Sequence, residues 1–191
     1  MENLFLVCLI PPTSIIEDID EIRNYISEKY NVHESLKRPA HITLYNPVRL
    51  TSAAQEKTFF DSLNDAAFAQ PFNQVLMNFG SFAMHTFYLN VVQNDGIMNL
   101  QAQIKKELKP LKLLPELDNF KYTPHLTLAF KDLKPPVYEL ISADFKNKNF
   151  KRSFEVSGFS VYKHIEKRWQ PYREYLFKNP EEKPKPLSLF Y

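Results

Sequence analysis

The sequence predicts an α+β protein built from two similar halves, and three observations predict it. The pattern His-x-Thr-Leu occurs twice, in "RPAHITLYNP" (38–47) and "YTPHLTLAFK" (122–131), with histidines 84 residues apart (41 to 125). Candidate helices after the two motifs open near residues 52 and 136, again 84 apart. Hydrophobic periodicity then gives strand, helix, His-x-Thr strand, helix, strand, read twice. Two copies are too few for a solenoid, so they are read as a pair of lobes related by a pseudo-two-fold axis, about 1–80 and 86–165.

The opening strand is read over Asn3–Ile10 and stops at Pro11-Pro12. Ser14 with Glu17 reads as a capping box. Ile15, Ile16, Ile19, Ile22, Ile26 and Tyr30 mark one face of the helix that follows. "AHITLYN" is the first motif strand; Ser52 with Gln55 opens the second helix, and "FNQVLMNF" closes the half. In the second half "TFYLNVV" is a strand, and Asp95 caps a helix striped by Ile97, Leu100, Ile104, Leu108 and Leu111. "PHLTLAF" is the second motif strand. Pro136 sits in the first turn of a fourth helix running to about Asn147, and "FEVSGFSVYKHI" is one strand. A last strand is expected near Tyr172–Phe177, completing one bilobal domain over 1–177. Residues 178–191 are read as an extended tail docked by Leu187–Tyr191.

Composition excludes several function classes. Only Gly80, Gly96 and Gly158 occur, too few for a glycine-rich phosphate loop or a nucleophile elbow. Cys8 is the sole cysteine, so no disulfide framework exists and a cytoplasmic compartment is expected. The run around Cys8 is too short to span a bilayer, and no membrane role is expected. Residues 1–130 carry 11 Lys/Arg against 14 Asp/Glu, and residues 131–191 carry 13 against 8. A basic C-terminal part suits a phosphate-bearing partner, with an ordinary solvated surface as the competing reading.

In a strand, residues i and i+2 share a face. His41 and Thr43 therefore point one way, with Ile42 and Leu44 behind them, and His125 and Thr127 repeat the arrangement. Two such strands facing each other line a groove with two imidazoles and two hydroxyls. Cleaving a phosphodiester without a metal needs a base for the attacking oxygen and an acid for the departing one, and imidazole serves either role near neutral pH. The threonine hydroxyls can donate to non-bridging phosphate oxygens. Zinc ligation does not fit, since a structural site needs four good ligands and threonine is a poor one. His33, His85 and His164 lack Thr at i+2 and read as surface or strand-end residues, His164 lying nearest the cleft.

The duplicated motif, the opening "LFLVCLIPP" and the late "WQPYREYLF" resemble the 2H phosphoesterase superfamily, in its 2′-5′ RNA ligase or RNA cyclic phosphodiesterase branch, over about residues 3–177. The resemblance implies two antiparallel sheets meeting at a central cleft, with helices outside. It implies hydrolysis of 2′,3′-cyclic or related nucleotide cyclic phosphates with no cofactor and no metal. It carries His41, Thr43, His125 and Thr127 over as catalytic; relatives often use the first histidine as acid and the second as base, an order the two matching motifs leave open. The expected partner is an RNA end or a small nucleotide bearing a cyclic phosphate, bound by a monomer, with weak 2′-5′ joining as the reverse step. "HITLYNPVRL" departs from the Phe-Leu-Gly-like turn of many members of that branch.

Residues flanking the motifs are further candidates for substrate binding. Tyr45 and Phe130 could stack on a base, with core packing as the competing use. Arg38 and Lys131, together with Arg173, could supply charge to phosphate. Tyr172, with Trp169, matches the family's terminal pattern and is expected to frame the cleft. "KNKNFKR" (146–152) reads as a helix end and turn rather than an RNA groove. An ADP-ribose cyclic phosphate or a 2′-5′ oligonucleotide is a second possible substrate, and a binding module without turnover is a different class of reading.

Overall fold

The computed structural model describes residues 3–113 and 121–183. Strand β1 (Asn3–Leu9) leads to α1 (Thr13–Tyr30) and, after a short 3-10 turn at Glu34–Lys37, to β2 (Ile42–Leu50). Helix α2 (Ala53–Ala66), β3 (Phe72–Phe82), β4 (Thr86–Val91) and α3 (Asp95–Leu108) follow. The second motif strand is β5 (His125–Phe130), then α4 (Pro135–Phe145), β6 (Lys151–Val156), β7 (Gly158–Ile165) and β8 (Arg168–Leu176).

One eight-stranded antiparallel sheet, in the order β6-β3-β4-β5-β2-β1-β7-β8, replaces the two sheets expected. The reason is local. Strands β2 and β5 pair at the one position Ile42–Leu126, and that bridge links the two four-stranded sides into a single sheet. Each side of this seam draws strands from both halves of the sequence. β3 pairs with β4 and β6, and β7 pairs with β1 and β8. The stretch expected as one strand at 154–165 breaks at Ser157, where the chain leaves β6 and crosses to β7 on the opposite side of the sheet.

The four helices cover one face. Ile19 and Ile26 of α1, Phe59 and Leu63 of α2, Leu100 and Ile104 of α3, and Ile141 of α4 join one core with Val7, Leu44 and Leu128. Leu6, Cys8 and Tyr162, with Ile10 and Trp169 against them, form a small cluster on the helix-free face. Burial raises the Cys8 thiol far above its ordinary range, so it is an inert core residue. On the outside, Tyr25, Tyr30 and Lys29 of α1 all reach the Asp144 carboxylate of α4, tying the two helices together.

Helix starts differ from expectation at two places. Pro12 fixes an extended entry to α1 and its carbonyl accepts Ile15 N–H at 2.9 Å, so the helix begins before Ser14 and the expected capping box does not form. Asn94, not Asp95, caps α3, accepting Ile97 N–H at 3.0 Å. Ser52 caps α2 as read from sequence, accepting Gln55 N–H at 3.2 Å. In the tail, Lys178 bridges to Phe68 and Lys183 pairs with Glu107 at 2.8 Å. The expected docking of Leu187–Tyr191 lies outside the described residues.

Candidate active site at the sheet seam

The seam brings the two motifs together. With Ile42 opposite Leu126 in an antiparallel pair, the register sets Thr43 opposite His125 and His41 opposite Thr127. Opposed residues share a face. Thr43 also pairs with Cys8, whose side chain lies on the helix-free face, so that face carries all four motif side chains. Ile42, Leu44, Leu126 and Leu128 are buried behind them, as the alternation requires.

Both rings are held the same way. His41 donates from Nδ1 to the Pro39 carbonyl at 2.7 Å, and His125 donates from Nδ1 to the Thr123 carbonyl at 2.9 Å. A carbonyl can only accept, so each Nδ1 carries a proton and Nε2 is the ring atom left free to exchange one with a ligand. Burial lowers the His41 pKa to about 4, with the Arg38, Arg23 and His125 charges adding to the effect and the Pro39 carbonyl opposing it. His41 is nonetheless only partly buried by surface area, so it is enclosed by protein while an edge still meets solvent. Across the seam, Tyr122 Oη donates to the Thr43 carbonyl at 2.9 Å.

A bulge in each motif strand decides which flanking residues join the site. On β5 the bulge falls at Leu128, so Leu128 and Ala129 both turn to the helix side and Phe130 returns to the histidine face. On β2 the shift falls at Leu44, the equivalent position 84 residues earlier, and Tyr45 pairs with Val7 and packs against the helix-side core. Tyr45 is therefore not brought to the histidines. Nor is Tyr172, whose ring stacks on Phe60 at 5.5 Å and lies 5.3 Å from Phe5, on the helix side. Arg173 lies over Phe60 as well.

Arg38, Phe130 and Lys131 do gather beside the motifs. The Arg38 guanidinium lies 5.4 Å from the Phe130 ring and 5.5 Å from that of Trp169, and Lys131 Nζ lies 5.6 Å from Phe130. His164 sits against Trp169 at 5.3 Å. On the other flank, Phe82 meets the His125 ring edge-on at 4.9 Å and Tyr88 tilts over it at 5.3 Å. Sequence reading missed Phe82, Tyr88, Tyr122 and the carbonyls of Pro39 and Thr123. It also missed Arg23, though an arginine set among Ile19, Ile22 and Ile26 was a usable signal. His33 is held by Ser27 and Asn31 away from the motifs, and His85 is in the β3–β4 turn.

A sequence model of the 2′-5′ RNA ligase superfamily matches residues 11–168. The chain belongs to that superfamily. The resemblance to 2H phosphoesterases, drawn from the two motifs, is thereby borne out. Among solved structures, Escherichia coli LigT complexed with 3′-AMP is similar to this superfamily member at 18% identity and a TM-score of 0.64, covering 94% of this chain and 100% of its own. TT0787 of Thermus thermophilus is similar at 13% identity and a TM-score of 0.68, covering 92% of this chain and 98% of its own. Identities this low show the fold alone. No curated protein matches the chain. Membership of the 2′-5′ RNA ligase superfamily supports a phosphoesterase or RNA-ligase-like enzyme. No helix among the described residues is long and apolar enough to cross a membrane.

Proposed function

We propose that this protein is a metal-independent phosphoesterase that opens a 2′,3′-cyclic phosphate on a nucleotide or RNA end, with His41 and His125 as paired base and acid. The observation that carries the reading is the matched pair of Nδ1-to-carbonyl bonds, which leaves one unengaged Nε2 on each of two rings. These rings share a face with two threonine hydroxyls. A tetrahedral phosphate between them meets a proton acceptor on one flank, a proton donor on the other, and hydroxyl donors for its non-bridging oxygens.

The low pKa of His41 keeps it neutral at pH 7, so it is the group suited to accept a proton. Water attacks phosphorus and gives its proton to His41 Nε2. The bond from phosphorus to one ribose oxygen breaks, and His125, the proton donor of this reading, gives its Nε2 proton to that oxygen. A phosphomonoester and a free hydroxyl result. This order reverses the one implied by the family resemblance. With a 5′-hydroxyl in place of water, the same forward steps form a bond from that oxygen to phosphorus, pass its proton to His41, break the bond from phosphorus to the 3′ oxygen and protonate that oxygen from His125, which is the weak 2′-5′ joining of this reading. LigT, of similar fold, is complexed with 3′-AMP in its crystal structure, which suits a nucleotide-sized ligand here. Arg38, Lys131 and Phe130 are the substrate-binding residues of this reading. The buried free thiol of Cys8 suits a reducing, cytoplasmic compartment.

The test is turnover of a 2′,3′-cyclic nucleotide in the presence of a chelator, by the intact protein and by His41→Ala, His125→Ala and the double variant. Each single change is expected to cost about 10²–10⁴-fold, and the double loss to be smaller than the product of the two. Tight nucleotide binding by the intact protein without turnover would overturn the enzyme reading in favour of a binding module.

A further inference from the structure

The apolar face of α1 contains a charge. Arg23 is 3% exposed, the one ionisable side chain in the buried polar set of the described residues. A guanidinium leaves water at high cost unless its donors are met. Arg23 meets them in part: its buried Nε has no partner among the described residues, while Nη1 is engaged within α1 and Nη2 on one short loop. Its Nη1 pairs with Asp20 at 2.6 Å, and its Nη2 donates to the carbonyls of Ser35 and Arg38, the latter at 2.6 Å. Both carbonyls belong to the 3-10 turn and its cap, which lead directly into the first motif.

We propose that Arg23 is the positioning residue for the His41 end of the site, acting through the backbone of residues 35–39 without touching substrate. The inference rests on the acid–base reading of His41. The Arg38 carbonyl and the Pro39 nitrogen lie in one planar peptide unit, and the proline ring fixes φ of residue 39. Only ψ of Pro39 then remains soft between the carbonyl clamped by Arg23 and the carbonyl that holds His41 Nδ1. The same clamp sets the Cα of Arg38, whose guanidinium lies between Phe130 and Trp169. The far end of the loop is fixed separately. Asp132, beyond β5, accepts His33 N–H at 2.6 Å and Glu34 N–H at 3.0 Å. Arg23 is therefore the anchor nearest the motif. A lysine cannot replace it, because one ammonium does not reproduce the planar fork that spans a carboxylate and two carbonyls.

The charged groups bearing on His41 are Arg38, Arg23 and His125, with Glu34 acting on Arg38. Two variants separate charge from geometry. In Arg23→Gln the His41 titration followed by NMR is expected to move to higher pH, and the Nδ1 proton to lose its protection. In Arg23→Lys the midpoint is expected to hold, because the charge remains. In both, kcat on a 2′,3′-cyclic nucleotide is expected to fall about 10- to 100-fold with little change in KM. Folded variants with unchanged kcat and an unchanged His41 titration would overturn the proposal, leaving Arg23 a stabilising residue only. If neither variant folds, the intact protein decides. Slowly exchanging Arg23 Nη protons coupled across the bond to the Arg38 carbonyl support the clamp, and a freely rotating guanidinium overturns it. Failure of the intact protein to turn over substrate would defeat the functional reading, while the NMR titrations would still judge Arg23.

Discussion

At the residue scale, His41 makes a pH dependence that can be signed. In the unfolded chain its pKa is near 6.5, and in the folded protein it is about 4. Between those values the unfolded state binds a proton that the folded state refuses, so stability is full above about pH 6.5 and falls as pH drops toward 4. The expected loss is about 2 kcal/mol, discounted for the solvent-facing edge of the ring. Urea unfolding at pH 7 and pH 4.5 should show it, and His41→Gln should flatten that part of the difference. The acid limb of kcat/KM for the free enzyme should have its midpoint near the same pH 4. Alternation alone made the four motif residues legible, because i and i+2 share a face in any strand. Tyr45 and Phe130 were not separable that way. Each lies just past a bulge, and a bulge resets the phase without leaving a mark in composition.

Single elements were legible in kind and less so at their ends. The Ser52 cap was readable because nothing upstream competed with it, whereas Pro12 started α1 early through its own carbonyl and Asn94 took the capping place expected for Asp95. The break at Ser157 was hidden because "FEVSGFSVYKHI" alternates smoothly on both sides of it. Gly158, directly after the break, is the informative position. A Cβ there would stand 2.5 Å from the Tyr175 carbonyl oxygen, and backbone cannot step aside as a side chain can. Gly158→Ala should therefore push β7 away from β8 and destabilise by about 1–3 kcal/mol. Chemical denaturation measures this, and an unchanged midpoint would mean that the β7–β8 ladder yields more readily than its register suggests.

The molecule as a whole is a sheet whose two sides meet at β2 and β5, with the Asp144 contacts bracing α1 against α4 behind. The repeat predicted that two similar units exist, but not how their strands are distributed, because local periodicity does not carry pairing partners. Cutting the chain in the β3–β4 turn, at Ala83 and Met84, should yield two pieces that are each unfolded alone and regain structure on mixing, as read by circular dichroism. An isolated piece with cooperative melting would refute this. The cause is the exchange of β3 and β7 across the seam. A single half could complete its sheet only by lending its last strand to a second copy and borrowing one in return, so the chain has the wiring that two strand-swapped copies joined end to end would have.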